Sequence, residues 1–144
     1  IDTCAFWFGD CIEKGAWNIV SANRFENRAP DHVVALMQNS SMRIELEMTL
    51  LMWRNHFTCD ILAEKGSAHI ESLCKWGPAT FTHRTRILPS GRPTEVIDTL
   101  TQSDPTWQLE YDHFKQLIES NCQTDLSWDR ALMSLLADLE QSIV

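Results

Sequence analysis

Met42-Arg43-Ile44-Glu45-Leu46-Glu47-Met48-Thr49-Leu50 decides the reading of the chain. Apolar Met42, Ile44, Leu46, Met48 and Leu50 alternate with Arg43, Glu45, Glu47 and Thr49. A period of two puts one set on a buried sheet face and the other in water. A helix would need its apolar groups three and four residues apart. At Leu50-Leu51-Met52-Trp53 the alternation stops and both faces turn apolar. Either a bulge re-aims the strand there, or the outer face is covered by another subunit. Leu50, Leu51, Met52 and Trp53 are therefore the candidate interface residues, and a two-fold pair is the default symmetry for such a contact.

Working outward, Trp17 to Ala22 and His32 to Met37 read as strands on the upstream side, with a break from Asn27 to Pro30 between them. Downstream, Phe57 to Leu62 and Ala68 to Leu73 flank a turn at Glu64-Lys65-Gly66-Ser67. Thr80 to Leu88 alternates again, with Phe81, His83, Thr85 and Ile87 on one side and Thr80, Thr82, Arg84 and Arg86 on the other. Pro89-Ser90-Gly91-Arg92-Pro93 is a loop. The end of the chain is helical. Asp104 before Pro105 marks a start, and Trp107, Tyr111, Phe114 and Ile118 form one stripe that closes at Asn121. Ser127 opens a second helix with a stripe of Trp128, Leu132, Leu135, Leu139 and Ile143, and Leu136 alongside. The beginning, Ile1 to Phe8, is apolar almost all round before Gly9. It reads as the last turns of a buried helix, with the expectation that residues precede Ile1.

Consecutive strands joined by short turns and followed by helices predict an α+β fold. Its expected form is an open, mostly antiparallel sheet with helices packed on one face, in a single domain over residues 1–144. A formal net charge of −8 argues against nucleic acid as a partner, because phosphate backbones need a positive field. No apolar run reaches the ~20 residues that a membrane-spanning helix requires. Cys4, Cys11, Cys59, Cys74 and Cys122 are odd in number and contain no CxxC pair. They read as small, mostly buried hydrophobes in a reducing cytoplasm.

The motif search is mostly negative. Glycines 9, 15, 66, 77 and 91 stand apart, so no GxGxxG turn exists to cradle a dinucleotide. There is no HExxH, and the histidines lack ligand spacing, so no metal site is expected. Ser67 and Ser90 lack the context of an activated nucleophile, and Asp112-His113 reads as a solvated pair on a helix. Two constellations carry chemistry. Arg84 and Arg86, two apart on a strand, aim both guanidinium groups to one side and suit phosphate or carboxylate, or are the ordinary charges of an exposed sheet face. Lys75-Trp76-Gly77-Pro78 sets a cation beside an aromatic ring before a rigid turn; that suits a sugar or nucleotide ring, or is a hydrophobic plug at a strand end. Lys75, Trp76, Arg84 and Arg86 are the candidate substrate-binding residues.

Ile1-Asp2 followed by Trp7-Phe8-Gly9-Asp10 resembles the Gfo/Idh/MocA oxidoreductases, named for glucose–fructose oxidoreductase and inositol dehydrogenase. Ala63 to Ile70 is similar to that family's glycine-containing strand pair. Leu109 to Phe114 and Ser127 to Ser142 are similar to its two final helices. Ser72 to Pro78 together with Leu88 to Pro93 resembles a subgroup. The likeness covers nearly the whole chain through the order of its motifs. It implies a carboxy-terminal domain that shapes a substrate pocket and pairs subunits as a homodimer or tetramer. It also implies a separate amino-terminal Rossmann domain, absent from this chain, that binds NAD or NADP. The substrate implied is a sugar or nucleotide-sugar, oxidised by hydride transfer to the nicotinamide. The family's catalytic Lys, Asp and His fall before Ile1, so no catalytic residue is expected in this chain, and Asp2 has a supporting, positioning role. The competing expectation is a non-catalytic binding or oligomerisation module built on the same sheet.

Overall fold

The computed structural model describes residues 1–9, 17–73 and 77–143. It divides into two compact units, one formed by Ile1–Leu51 with Gln123–Val144 and the other by Met52–Cys122. Every strand pairing is antiparallel. The α+β class holds, but the expected single open sheet is replaced by two sheets, one of three strands and one of four. Alternation in a sequence assigns faces to a strand; it does not say which strand ends share a ladder.

In the first unit, β1 (Trp17–Asn23), β2 (His32–Gln38) and β3 (Arg43–Thr49) pair in chain order. In β3 the alternation holds as far as Glu47: Ile44 and Leu46 are half-buried, while Arg43, Glu45 and Glu47 are exposed. It breaks at Met48, which was expected on the buried face and is exposed at the strand end. Ile44 lies opposite Met37, and Leu46 opposite Ala35, which in turn lies opposite Ile19. This row is the inner face. Helices α1 (Asp2–Phe8) and α3 (Ser127–Gln141) supply the rest of the core, which gathers Ala5, Trp17, Ala35, Met37, Leu135 and Leu139, with Ile1, Cys4, Phe8, Ile19, Met42, Ile44 and Leu46 against it. Leu135 and Leu139 are the centre of the stripe read from the sequence. Burial raises the pKa of the Cys4 thiol. The described cysteines are less buried than expected: Cys4 and Cys59 are half-buried and Cys122 is exposed, while Cys11 and Cys74 lie outside the described residues.

Two local expectations change. Helix α1 is not enclosed on all sides, because Ala5 is buried while Phe6 is 79% exposed. A seven-residue helix lying on a sheet has only one face to bury. The strand at 42–53 stops at Thr49, so Leu50-Leu51-Met52-Trp53 is no doubly covered strand end but irregular chain, with all four residues exposed. The register irregularity lies instead in β1, between Ile19 and Ser21, and leaves Val20 as the extra residue.

The loop between β1 and β2 is built around Asp31. Its side chain is 1% exposed, and its carboxylate accepts the backbone N–H groups of Phe25 and Glu26 at 2.7 Å and of Asn27 at 3.2 Å, along with the Asn27 amide. These donors stabilise the ionised form and hold its pKa far below the ordinary carboxylate range. A depressed folded-state pKa contributes stability above the unfolded value and loses it as pH falls toward the folded one. The loss therefore begins near the unfolded aspartate value of about 4 and grows below it. In Asp31→Asn, one of the two acceptor oxygens becomes a donor facing other donors. At neutral pH the melting temperature is expected to fall on the order of 5 °C or more. Thermal unfolding followed across the acid range should also show a shallower pH dependence in the variant than in the parent chain, and equal slopes would contradict the role given to this carboxylate.

The second unit carries β4 (Thr58–Ala63), β5 (Gly66–Glu71), β6 (Ala79–Thr85) and β7 (Thr94–Leu100), also in chain order, followed by α2 (Thr106–Glu119). Strand β7 was not foreseen, although Thr94-Glu95-Val96-Ile97-Asp98-Thr99 is β-branched enough to signal it. Asp104 organises the start of α2: its carboxylate accepts the Thr106 N–H at 3.0 Å and hydroxyl at 2.7 Å. Asn121 ends the helix with φ of 48°, and Cys122 N–H reaches back to the Leu117 carbonyl, a left-handed helix stop. No residue of α2 is buried, and Trp107, Tyr111, Phe114 and Ile118 are all exposed. This corrects the expectation that both late helices lie on one sheet face: the stripe fixes an apolar side, not what it meets. Among the described residues, no helix is long and apolar enough to cross a membrane.

Candidate functional site

The two arginines singled out in the sequence come together. Arg84 lies near the end of β6, and Arg86 follows the strand with its N–H on the Lys65 carbonyl at 2.9 Å. Both line one cavity of about 430 Å³. The β4–β5 hairpin forms one wall with Ala63, Gly66 and Ser67, and the loop after β6 forms the other with Ile87, Pro89, Ser90, Gly91 and Pro93. Register explains the assembly. Ser67 sits directly opposite Arg84, and Gly66 opposite Thr85, so the hairpin end and the strand end share one corner of the sheet. Gly66 is required by space: a Cβ there would stand 2.1 Å from the Arg84 carbonyl oxygen.

The two guanidinium groups differ. Arg84 donates through Nε to Glu95 Oε2 at 2.6 Å, across the β6–β7 pair. That contact orients the side chain and leaves its terminal nitrogens for another acceptor. Arg86 donates from Nη1 to the Glu64 carbonyl at 3.3 Å, and among the described residues no carboxylate lies within ion-pair reach of it. An exposed arginine with a weak carbonyl contact keeps most of its donors for a ligand.

The same sheet face carries a second polar group. His69 Nδ1 lies 2.7 Å from Asp60 Oδ1, and its Nε2 lies 3.5 Å from Glu71 Oε2. The His69–Asp60 contact spans the β4–β5 pair, and sequence spacing alone did not reveal it. Among the described residues no cluster of His, Cys, Asp and Glu is arranged to hold a metal ion.

The other candidates fall elsewhere. Lys75 and Trp76 lie outside the described residues. Asp2 accepts a hydrogen bond at 3.0 Å from the Trp128 indole, which ties α1 to the first turn of α3. Sequence reasoning singled out only the two arginines of this pocket; among the lining residues it missed are Ser67, Ser90, Gly66 and Gly91. Their signal was the turn at Gly66 and the Pro-Ser-Gly loop flanking a strand with two arginines.

No family model matches the chain, and neither a curated protein nor a solved structure matches it.

Proposed function

We propose that the chain is the carboxy-terminal domain of an NAD(P)-dependent sugar or sugar-derivative oxidoreductase. It shapes the substrate pocket and the subunit interface and does not carry out the chemistry by itself. The observation that carries this reading is the cavity that joins Arg84 and Arg86: it offers oriented donors, which grip and position a substrate. The motif order from Asp2 to Ser142 supports the Gfo/Idh/MocA assignment, and the antiparallel α+β architecture is compatible with it.

In this reading a separate Rossmann domain holds NAD or NADP and supplies the redox chemistry. The substrate is a sugar or nucleotide-sugar, and the protein works in the cytoplasm as a homodimer or tetramer. Leu50, Leu51, Met52 and Trp53, all exposed, are the residues proposed for the subunit contact. Lys75 and Trp76, which lie outside the described residues, keep the substrate-binding role expected of them as part of this proposal.

Two measurements test the reading together. The product of the whole gene should reduce NAD or NADP with at least one member of a panel of sugars and nucleotide-sugars. The 144-residue chain alone should give no saturable change on titration into NADH, followed by the coenzyme's fluorescence. A whole product inert toward both coenzymes, or micromolar NADH binding by the chain alone, would overturn it.

A further inference from the structure

We infer that the pocket between the β4–β5 hairpin and the loop after β6 is a binding site for a phosphate monoester, the anionic group of a phosphorylated sugar. The inference deepens the proposed function and rests on it for the sugar, but the phosphate site stands on the pocket alone. Four observations converge. The cavity of about 430 Å³ has room for a group of that size. Two arginines line it, one with its guanidinium steered by Glu95 and one with no carboxylate in reach among the described residues. Two serines, Ser67 and Ser90, line the same space. Gly66 lets the hairpin stand close against the Arg84 backbone, which brings the two walls of this corner together.

The chemistry favours phosphate over carboxylate. A carboxylate is satisfied by one guanidinium fork. A phosphate monoester presents three terminal oxygens and more than one negative charge at neutral pH, and so takes up two forks together with hydroxyl donors. The setting also matters. The chain is acidic overall, yet in the hairpin turn and the strand and loop around this corner Lys65, Arg84, Arg86 and Arg92 outnumber the carboxylates Glu64 and Glu95, the latter paired with Arg84. A local cluster of that kind attracts an anion that the rest of the surface repels.

The test uses the 144-residue chain labelled with nitrogen-15, titrated separately with inorganic phosphate, glucose 6-phosphate, glucuronate and glucose. Saturable shifts at the amides of Ser67, Arg86, Ser90 and Gly91 are expected with phosphate and, more strongly, with glucose 6-phosphate. Arg86→Gln should weaken both by roughly tenfold or more, the effect of losing a charge-assisted contact. Arg43→Gln removes one positive charge from the other unit and should change neither. Equal binding of glucuronate or glucose, an equal loss in Arg43→Gln, or no saturable shift with phosphate would each overturn the proposal. No coenzyme or turnover enters this measurement. Phosphate binding with an inert whole gene product therefore counts against the oxidoreductase reading alone, and active enzyme without phosphate binding counts against the site alone.

Discussion

Leu135→Ala is expected to cost about 2–5 kcal/mol, the range for emptying a leucine site in a packed core. Leu135 is 2% exposed and belongs to the one cluster of fully buried apolar residues found among the described residues. Its companions Ala5, Trp17, Ala35, Met37 and Leu139 come from α1, β1, β2 and α3, so the cavity would loosen every element of the first unit except β3 directly. Single domains are stable by only about 5–15 kcal/mol, so this one change removes a large share of the total. The second unit contains none of these residues. Native-state hydrogen exchange should therefore show β1, β2 and β3 amides losing protection in the variant, while β4 to β6 amides keep theirs. Uniform loss across both sheets would mean that the two units unfold as one.

Gly66→Ala is the second large effect, and it arises from backbone and not from lost burial. The added carbon would meet the Arg84 carbonyl oxygen at 2.1 Å and the Arg84 carbonyl carbon at 3.2 Å. Neither belongs to a flexible side chain, so the strands must separate or the register must give way. Overpacking of this kind costs about 1–3 kcal/mol, and occasionally more. The displacement falls at the Ser67–Arg84 and Gly66–Thr85 pairs, where the pocket is assembled. The variant should lose protection at the amides of β5 and β6 and should bind inorganic phosphate at least tenfold more weakly, in the range of a lost charged contact. Wild-type phosphate affinity together with an unchanged β5–β6 ladder would show that the close approach is not what holds the pocket in shape.

Much of the local structure was legible in the sequence because it depends on neighbours along the chain. The alternation from Met42 to Thr49 encodes a strand with one buried face, and Ile44 and Leu46 occupy that face. The stripe of the last helix points Leu135 and Leu139 inward. Asp104 and Asn121 begin and end α2 through bonds that span only a few residues. Period had set Arg84 and Arg86 on one side of a strand; β6 ends at Thr85, so Arg86 follows the strand, and both residues line the same cavity.

What the sequence left open depended on partners distant in the chain. The run Leu50-Leu51-Met52-Trp53 reads as apolar on both faces, yet only the end of the β2–β3 ladder at Thr49 shows that it is not strand at all. Nothing in the sequence singles out Asp31; the fold of residues 25 to 27 back upon it makes it the hub of a loop. Division into a three-stranded and a four-stranded sheet was likewise invisible, because period assigns a residue to a face and says nothing of which strand lies beside it. The pocket itself needed Gly66, Ser67, Arg84 and the loop from Ile87 to Pro93 in one corner. By itself the sequence determined most of the strands, the two late helices and the chemical character of their faces, because those follow from bonds and spacings within a few residues; β7 and the end of β3 were the exceptions. Only the tertiary structure decided which faces meet and where two arginines share one cavity, because register and loop closure join residues that the sequence keeps apart.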